Sequence, residues 1–248
     1  MSRLALILAS LAMLASSGLA LAREPVLVFA AASTRDAMED AIAAHGNQAV
    51  KGVYAASSAL TRQIMDGAPA SMFLSANTIW ADELDRAGLL ADRRDFLRNR
   101  LVVAAPAGAK APSITKAADI SLALGEERLA MGEVKSVPVG VYGRQALTNL
   151  GVWDALRNRV AQASNARAVL LLVERGEAPL GIIYATDARA SSQVRSLWSI
   201  PHAAHDPVLY PLALTRTAAN KPGATDFLRF LASSEGRAIF ARHGFETD

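Results

Sequence analysis

Short apolar runs alternate with segments of helical spacing along nearly the whole chain, and few architectures accommodate that alternation. Strand-like runs occupy 25–30 (PVLVFA), 71–76 (SMFLSA), 100–106 (RLVVAAP), 128–132 (RLAMG), 179–185 (PLGIIYA), 194–200 (VRSLWSI) and 208–214 (VLYPLAL). Between them Met38/Ile42, Leu60/Ile64, Leu147/Leu150 and Val169/Leu172/Val173 recur at helical spacing. The pattern predicts an α/β sandwich with buried, mainly parallel sheets. No Pro/Ser-rich linker or low-complexity segment interrupts it, so any second domain is joined through strands rather than a flexible tether. A terminal core helix is expected over 225–242, with Phe227, Leu228, Phe230, Leu231, Ile239 and Phe240 on its apolar stripes.

The N-terminus reads differently. MSR is followed by an apolar and small-residue run from Leu4 to Leu21 and then by Ala20-Leu21-Ala22. That is a basic start, an apolar stretch and an A-x-A site, which predict a Sec signal peptide over residues 1–22 and a periplasmic product. The chain has no cysteine, so an exported product is held together by core packing alone and has no thiol to carry a lipid. Its net charge of +3, one unit of which is Arg3 of the leader, is too small to argue for nucleic acid or an anionic membrane. The densest basic patch, DRRDFLRNR at 92–100, is interleaved with aspartate and reads as a solvated helix face.

The residues expected of an enzyme do not assemble into a motif. There is no G-x-S-x-G elbow, P-loop, G-x-G-x-x-G or H-E-x-x-H. None of the four histidines sits in a motif beside Ser33 or Ser57. His202-x-x-His205-Asp206 has a metal-ligand spacing only if helical, and the flanking Pro201 and Pro207 make it a loop. What recurs instead is a kind of helix start. Ser33-Thr34-Arg35-Asp36 matches a capping box, with Ser33 as N-cap. Ser57-Ser58 precede Leu60 and Ile64, with Gly67 and Pro69 closing; Pro138 opens a third helix that Gly151 ends; Ser164 or Asn165 caps a fourth that Gly176 ends. Each start carries small neutral residues. Individually these are ordinary caps; together they offer several amide-rich, positively polarised ends to one anion.

VFAAAST, AASSALTRQIMDGAPASMFLSAN, LVVAAP, SVPVGVYGRQAL, LGVWDAL, LLVERGEAPLGIIYATDA and RAIFARHGF occur in one order over nearly the whole mature chain. Together they resemble the periplasmic molybdate-binding proteins of molybdate ABC transporters. The resemblance implies an α/β, two-lobed type II periplasmic binding protein, each lobe a mixed sheet flanked by helices, with the ligand in the interlobe cleft. It implies lobe I over 23–102, lobe II over 103–207 and a return segment of lobe I over 208–248. It implies a monomer that carries molybdate or tungstate, without a cofactor or nucleic acid, to an inner-membrane permease with a cytoplasmic ATPase. Carried over position by position, the family's contacts fall on the hydroxyls of Ser33 and Ser57, the backbone N–H of Val139 and of Ala166, and the phenol of Tyr184. No metal-ligating side chain is implied.

The chain departs from the family pattern at Ser71 and Asn77, where relatives carry aspartates, at Gly132-Glu133-Val134, where G-D-P is common, and at Val139, where alanine is commoner. Two other readings stay open at this level: a carrier for another oxyanion such as sulfate, and a secreted serine hydrolase using Ser33 or Ser57.

Overall fold

A computed structural model describes residues 24–110 and 113–247; the expected leader lies outside them. The first stretch runs β1 (Val26–Ala31), α1 (Arg35–His45), β2 (Val50–Ala55), α2 (Ser57–Met65), β3 (Met72–Leu74), α3 (Thr78–Arg86) and β4 (Leu90–Asn99). The middle runs β5 (Leu101–Pro106), α4 (Ala118–Leu124), β6 (Leu129–Gly132), α5 (Pro138–Asn149), α6 (Trp153–Leu156), β7 (Val160–Ala163), α7 (Ala166–Glu174), β8 (Leu180–Tyr184), α8 (Ala185–Ala190) and β9 (Val194–Ser199). The chain then returns through β10 (Val208–Thr215), α9 (Pro222–Ala232) and α10 (Ser234–Arg242).

These strands form two five-stranded sheets, ordered β2-β1-β3-β10-β4 and β7-β6-β8-β5-β9. The chain passes between them twice, from β4 to β5 through Arg100 and from β9 to β10. Leu101 and Val102, which the expected boundary leaves with the first part, pair with Tyr184 and Ile183 in the second sheet. Successive residues of β1 point to opposite faces, and both faces are covered. Val28 and Ala30 pack into a cluster with Met38, Phe227 and Phe240, while Phe29 joins Leu60, Ile64 and Leu84.

Several expectations need correction. The sheets are not mainly parallel. β1 with β2 and β3, and β6 with β7 and β8, are parallel, whereas β10 and β5 each pair antiparallel on both sides. The cause is the double crossing, which brings β10 and β5 into their sheets in the opposite sense. The segment 92–100 is strand rather than helix: it forms most of β4, whose charged side chains lie on a sheet edge. Arg93 there meets Asp82 and Asp85 of α3 at 2.7 and 2.5 Å. The terminal helix is two helices, because Ser233 adopts an extended ψ of 165° and its side chain accepts from the Gly236 N–H at 3.1 Å.

Candidate functional site

The loops that follow β1, β2 and β3 meet the starts of α5 and α7 across the gap between the sheets, around a small cavity. Ala31, Ala32, Ser33, Ala55, Ala56, Ser57 and Ala76 line it from the first sheet; Val137, Pro138, Val139, Ala166 and Tyr184 line it from the second. All five expected contact residues are therefore brought to one cavity. Ser57 is 0% exposed, Tyr184 1% and Ala166 8%, so the lobes are closed over it.

Each residue is held there for a local reason. Ser33 lies in a 3-10 turn, Ala32–Thr34, ahead of α1, and it makes no capping bond. The expected capping box does not form because the Ser33 Oγ turns away to the Tyr210 hydroxyl, 3.0 Å distant on β10, while Thr34 Oγ1 donates to the Ala31 carbonyl. Ser57 opens α2, and its Oγ accepts the Ala76 N–H at 2.9 Å, committing that oxygen as acceptor and leaving its own proton free. Pro138 occupies the first position of α5 as expected, and Val139 follows in a turn whose amides have no carbonyl four residues back within the helix. That turn sits close to the end of β6: a Cβ on Gly140 would lie 2.2 Å from the Gly132 carbonyl oxygen, so only glycine permits the approach. Asn165 rather than Ser164 caps α7, its Oδ1 accepting from the Ala168 N–H at 3.0 Å, which leaves Ala166 as first residue of the helix.

Tyr184 ends β8 with its hydroxyl buried beside the Tyr210 phenol and, among the described residues, without a well-formed hydrogen bond. Burial, first, and the neighbouring Tyr210 push its pKa well above the usual phenol value, so it stays a neutral donor. No lysine, arginine, aspartate or glutamate lines the cavity. Among the described residues the hydrogen-bond partners of the two serines are a phenol and a backbone amide, neither of them a general base, which disfavours the hydrolase reading. His205 Nδ1 lies 2.7 Å from the Asp206 carbonyl, and the described residues hold no cluster of three or more His, Cys, Asp or Glu side chains fit for a metal.

Contacts missed by sequence reasoning tie the two sides together. Arg167, next to Ala166, reaches Asp36 of α1 at 2.7 Å across the gap, while its Nε stands 3.1 Å from the carboxylate of Asp187 in α8. Asp187 is fully buried, and burial pushes its pKa up to about 7 although Arg167 pulls the other way. The Trp80 indole also crosses, donating to the Ser136 carbonyl at 2.9 Å. A hint of this lay in TDA after Tyr184, an acid inside an otherwise apolar stretch. Two of the departures from the family pattern, Ser71 and Asn77, are structural, whereas Val139 lines the cavity. Ser71 Oγ accepts the Leu27 N–H, and Asn77 caps α3 by accepting from Trp80 N–H; neither lines the cavity.

Residues 26–246 match the family described as bacterial extracellular solute-binding protein. The chain is 40% identical over 241 residues to the molybdate-binding protein ModA of Escherichia coli (strain K12), covering 93% of each. It is 36% identical over 227 residues to the molybdate-binding protein ModA of Haemophilus influenzae, covering 89% of each. Among solved structures, the periplasmic molybdate-binding protein of Azotobacter vinelandii shares its fold at a TM-score of 0.78 and 23% identity, over 90% of this chain and 99% of that one. The cavity thus lies between the two lobes of the fold, and the chain belongs to the bacterial extracellular solute-binding protein family.

Proposed function

We propose that this protein captures molybdate, and tungstate with it, in the interlobe cavity and delivers it to an inner-membrane permease driven by a cytoplasmic ATPase. The observation that carries the reading is the convergence of neutral donors from both lobes on one small closed cavity without a charged side chain. The names of the relatives that align along about nine-tenths of the chain point to the same anion. In this reading Ser33, Ser57 and Tyr184 donate hydroxyl protons, and Val139 and Ala166 donate backbone N–H groups. Lobe I comprises 24–99 with the return segment from 208, and lobe II comprises 101–199. The leader over 1–22 directs export, and the mature protein works in the periplasm as a monomer.

The energetics are ordinary. Hydrogen bonds to a charged group contribute roughly 1.5 to 3 kcal/mol each, so five to seven give on the order of 10 to 20 kcal/mol before the anion's desolvation is subtracted. A net of about 8 kcal/mol corresponds to about micromolar binding. Alanines at 31, 32, 55, 56 and 76 let the donors approach without a side chain intervening. Selectivity follows from donor polarity: hydrogen phosphate brings a proton that needs an acceptor, whereas molybdate, tungstate and sulfate do not. Pocket radius then separates sulfate from the larger anions. Calorimetric titration of residues 23–248 with molybdate, tungstate, sulfate and phosphate in one buffer tests the proposal. One-to-one binding of the first two is expected; no heat with either, from folded and ligand-stripped protein, overturns it.

A further inference from the structure

Ser57 and Ser33 occupy equivalent places on two successive loops, yet the structure fixes their hydroxyl polarity by different means. At Ser57 the partner is a backbone N–H, which can only donate. At Ser33 the partner is the Tyr210 hydroxyl, 3.0 Å away, and either oxygen could give the proton. The next link favours one direction. Asn99, the last residue of β4, lies with its Nδ2 3.2 Å from the Tyr210 oxygen and 2.8 Å from Thr186 Oγ1 in α8. Its amide orientation is set by the Arg100 N–H, which donates to Asn99 Oδ1 at 2.8 Å. Nδ2 therefore faces Tyr210 as a donor. With its oxygen accepting from Asn99, the fully buried Tyr210 has Ser33 Oγ, 3.0 Å away, placed to take its own proton.

We propose that Asn99 and Tyr210 are positioning residues that form a one-directional relay, Asn99 to Tyr210 to Ser33, committing the Ser33 oxygen as acceptor so that its proton points to the bound oxyanion. Neither residue lines the cavity. The relay starts where the chain crosses between the sheets, and its amide also donates to Thr186 of the other lobe, so donor polarity at Ser33 is set at the crossing point. Without the Tyr210 proton, Ser33 can turn its own proton toward another acceptor or present a lone pair to the anion.

This inference rests on the proposed oxyanion site, and a double-mutant cycle separates the two. Molybdate affinity is measured by calorimetry for the unmutated mature chain, Ser33→Ala, Tyr210→Phe and Ser33→Ala/Tyr210→Phe, with thermal unfolding of each ligand-free protein as a check on folding. The expected result is a loss of roughly tenfold in affinity for Tyr210→Phe that shrinks to near nothing when Ser33 is already alanine. Asn99→Asp gives an independent cycle if Tyr210→Phe does not fold. At pH 8 a carboxylate in place of the amide accepts the Tyr210 proton and reverses the relay. Its added charge weakens binding in both backgrounds, so the relay shows as the further loss seen only with Ser33 present. Equal losses with and without Ser33 overturn the relay and leave the site standing. Full affinity in Ser33→Ala overturns the relay because Ser33 then makes no contact. No molybdate binding by the unmutated chain overturns the proposed site and the relay together.

Discussion

The two sides of the cavity solve one problem with different chemistry. On the first-sheet side, the proposed donors are side-chain hydroxyls that already share a protein hydrogen bond, with the Ala76 N–H at Ser57 and with the Tyr210 hydroxyl at Ser33. On the second-sheet side they are main-chain amides at two helix starts and one phenol without a well-formed hydrogen bond among the described residues. Close behind that side lie Asp187 and Arg167, a buried carboxylate and a guanidinium that meet at 3.1 Å without a well-formed hydrogen bond. The first side is internally satisfied and specific by side-chain identity. The second holds its polar groups under tension and, in the proposed site, reads the anion through two backbone amides that side-chain changes leave in place, with Tyr184 as its one side-chain donor.

The largest effect should come from that second side. Arg167→Ala leaves Asp187 buried without its cation and removes the bridge to Asp36. At pH 8 it should cost about 3 kcal/mol of folding stability in urea unfolding. At pH 5 the loss should be smaller, because Asp187 takes up a proton and no longer needs the partner. The unmutated protein carries the same signature. Since the folded-state pKa of Asp187 is raised to about 7 above its ordinary value of 3.8, the folded chain binds more protons than the unfolded one between those limits. Its contribution to stability is greatest below about pH 4 and is lost as pH rises through about 7. Asp187→Asn should flatten that slope; an unchanged slope would move the tension elsewhere.

Ser57→Ala ranks next and probes the satisfied side. It removes a proposed donor and also strands the Ala76 N–H, so affinity for molybdate should fall by about 2 kcal/mol and ligand-free stability by about 1 kcal/mol. Tyr184→Phe supplies the contrast. It should weaken molybdate binding by about 1 to 3 kcal/mol in calorimetry, yet leave ligand-free thermal stability unchanged or slightly higher, because the phenol it removes makes no well-formed hydrogen bond among the described residues. If both variants lose ligand-free stability alike, the two sides do not differ as described.

The same division explains what could be read from sequence. Interior strands β1, β3, β5, β6, β8 and β10 are apolar runs because both their faces are buried, and each coincides with an expected run. The strands that escaped notice, β2, β4 and β7, are all sheet edges. Lys51 and Gly52 break up β2, and the charges of β4 protect an exposed edge, so a pattern of burial could not reveal them. At the site, the caps and small residues around Ser57, Pro138 and Asn165 followed from local helix chemistry. Ser33, Tyr210, Asn99 and the Arg167 bridge depend on partners far apart in the chain, as in the 177-residue span between Ser33 and Tyr210. Local spacing carries no trace of them.

The smallest expected effect tests the backbone half of the comparison most directly. Val139 is 1% exposed and lines the cavity, so by burial alone it looks like a residue whose side chain shapes the ligand's surroundings. Its position in the first turn of α5 says otherwise: what faces the anion in the proposed site is the N–H, held by Pro138 before it and by the Gly132–Gly140 approach beside it. The side chain itself packs toward Gly132, where a Cβ would stand 2.9 Å from one of its methyls. Val139→Ala should therefore cost about 1 kcal/mol in unfolding free energy through the lost methyls. The same variant should change molybdate affinity by less than about 0.5 kcal/mol, because the amide stays where it was. A tenfold or greater change in calorimetric affinity would mean that the second side, like the first, recognises its ligand through side-chain identity, and the contrast between the two faces would collapse.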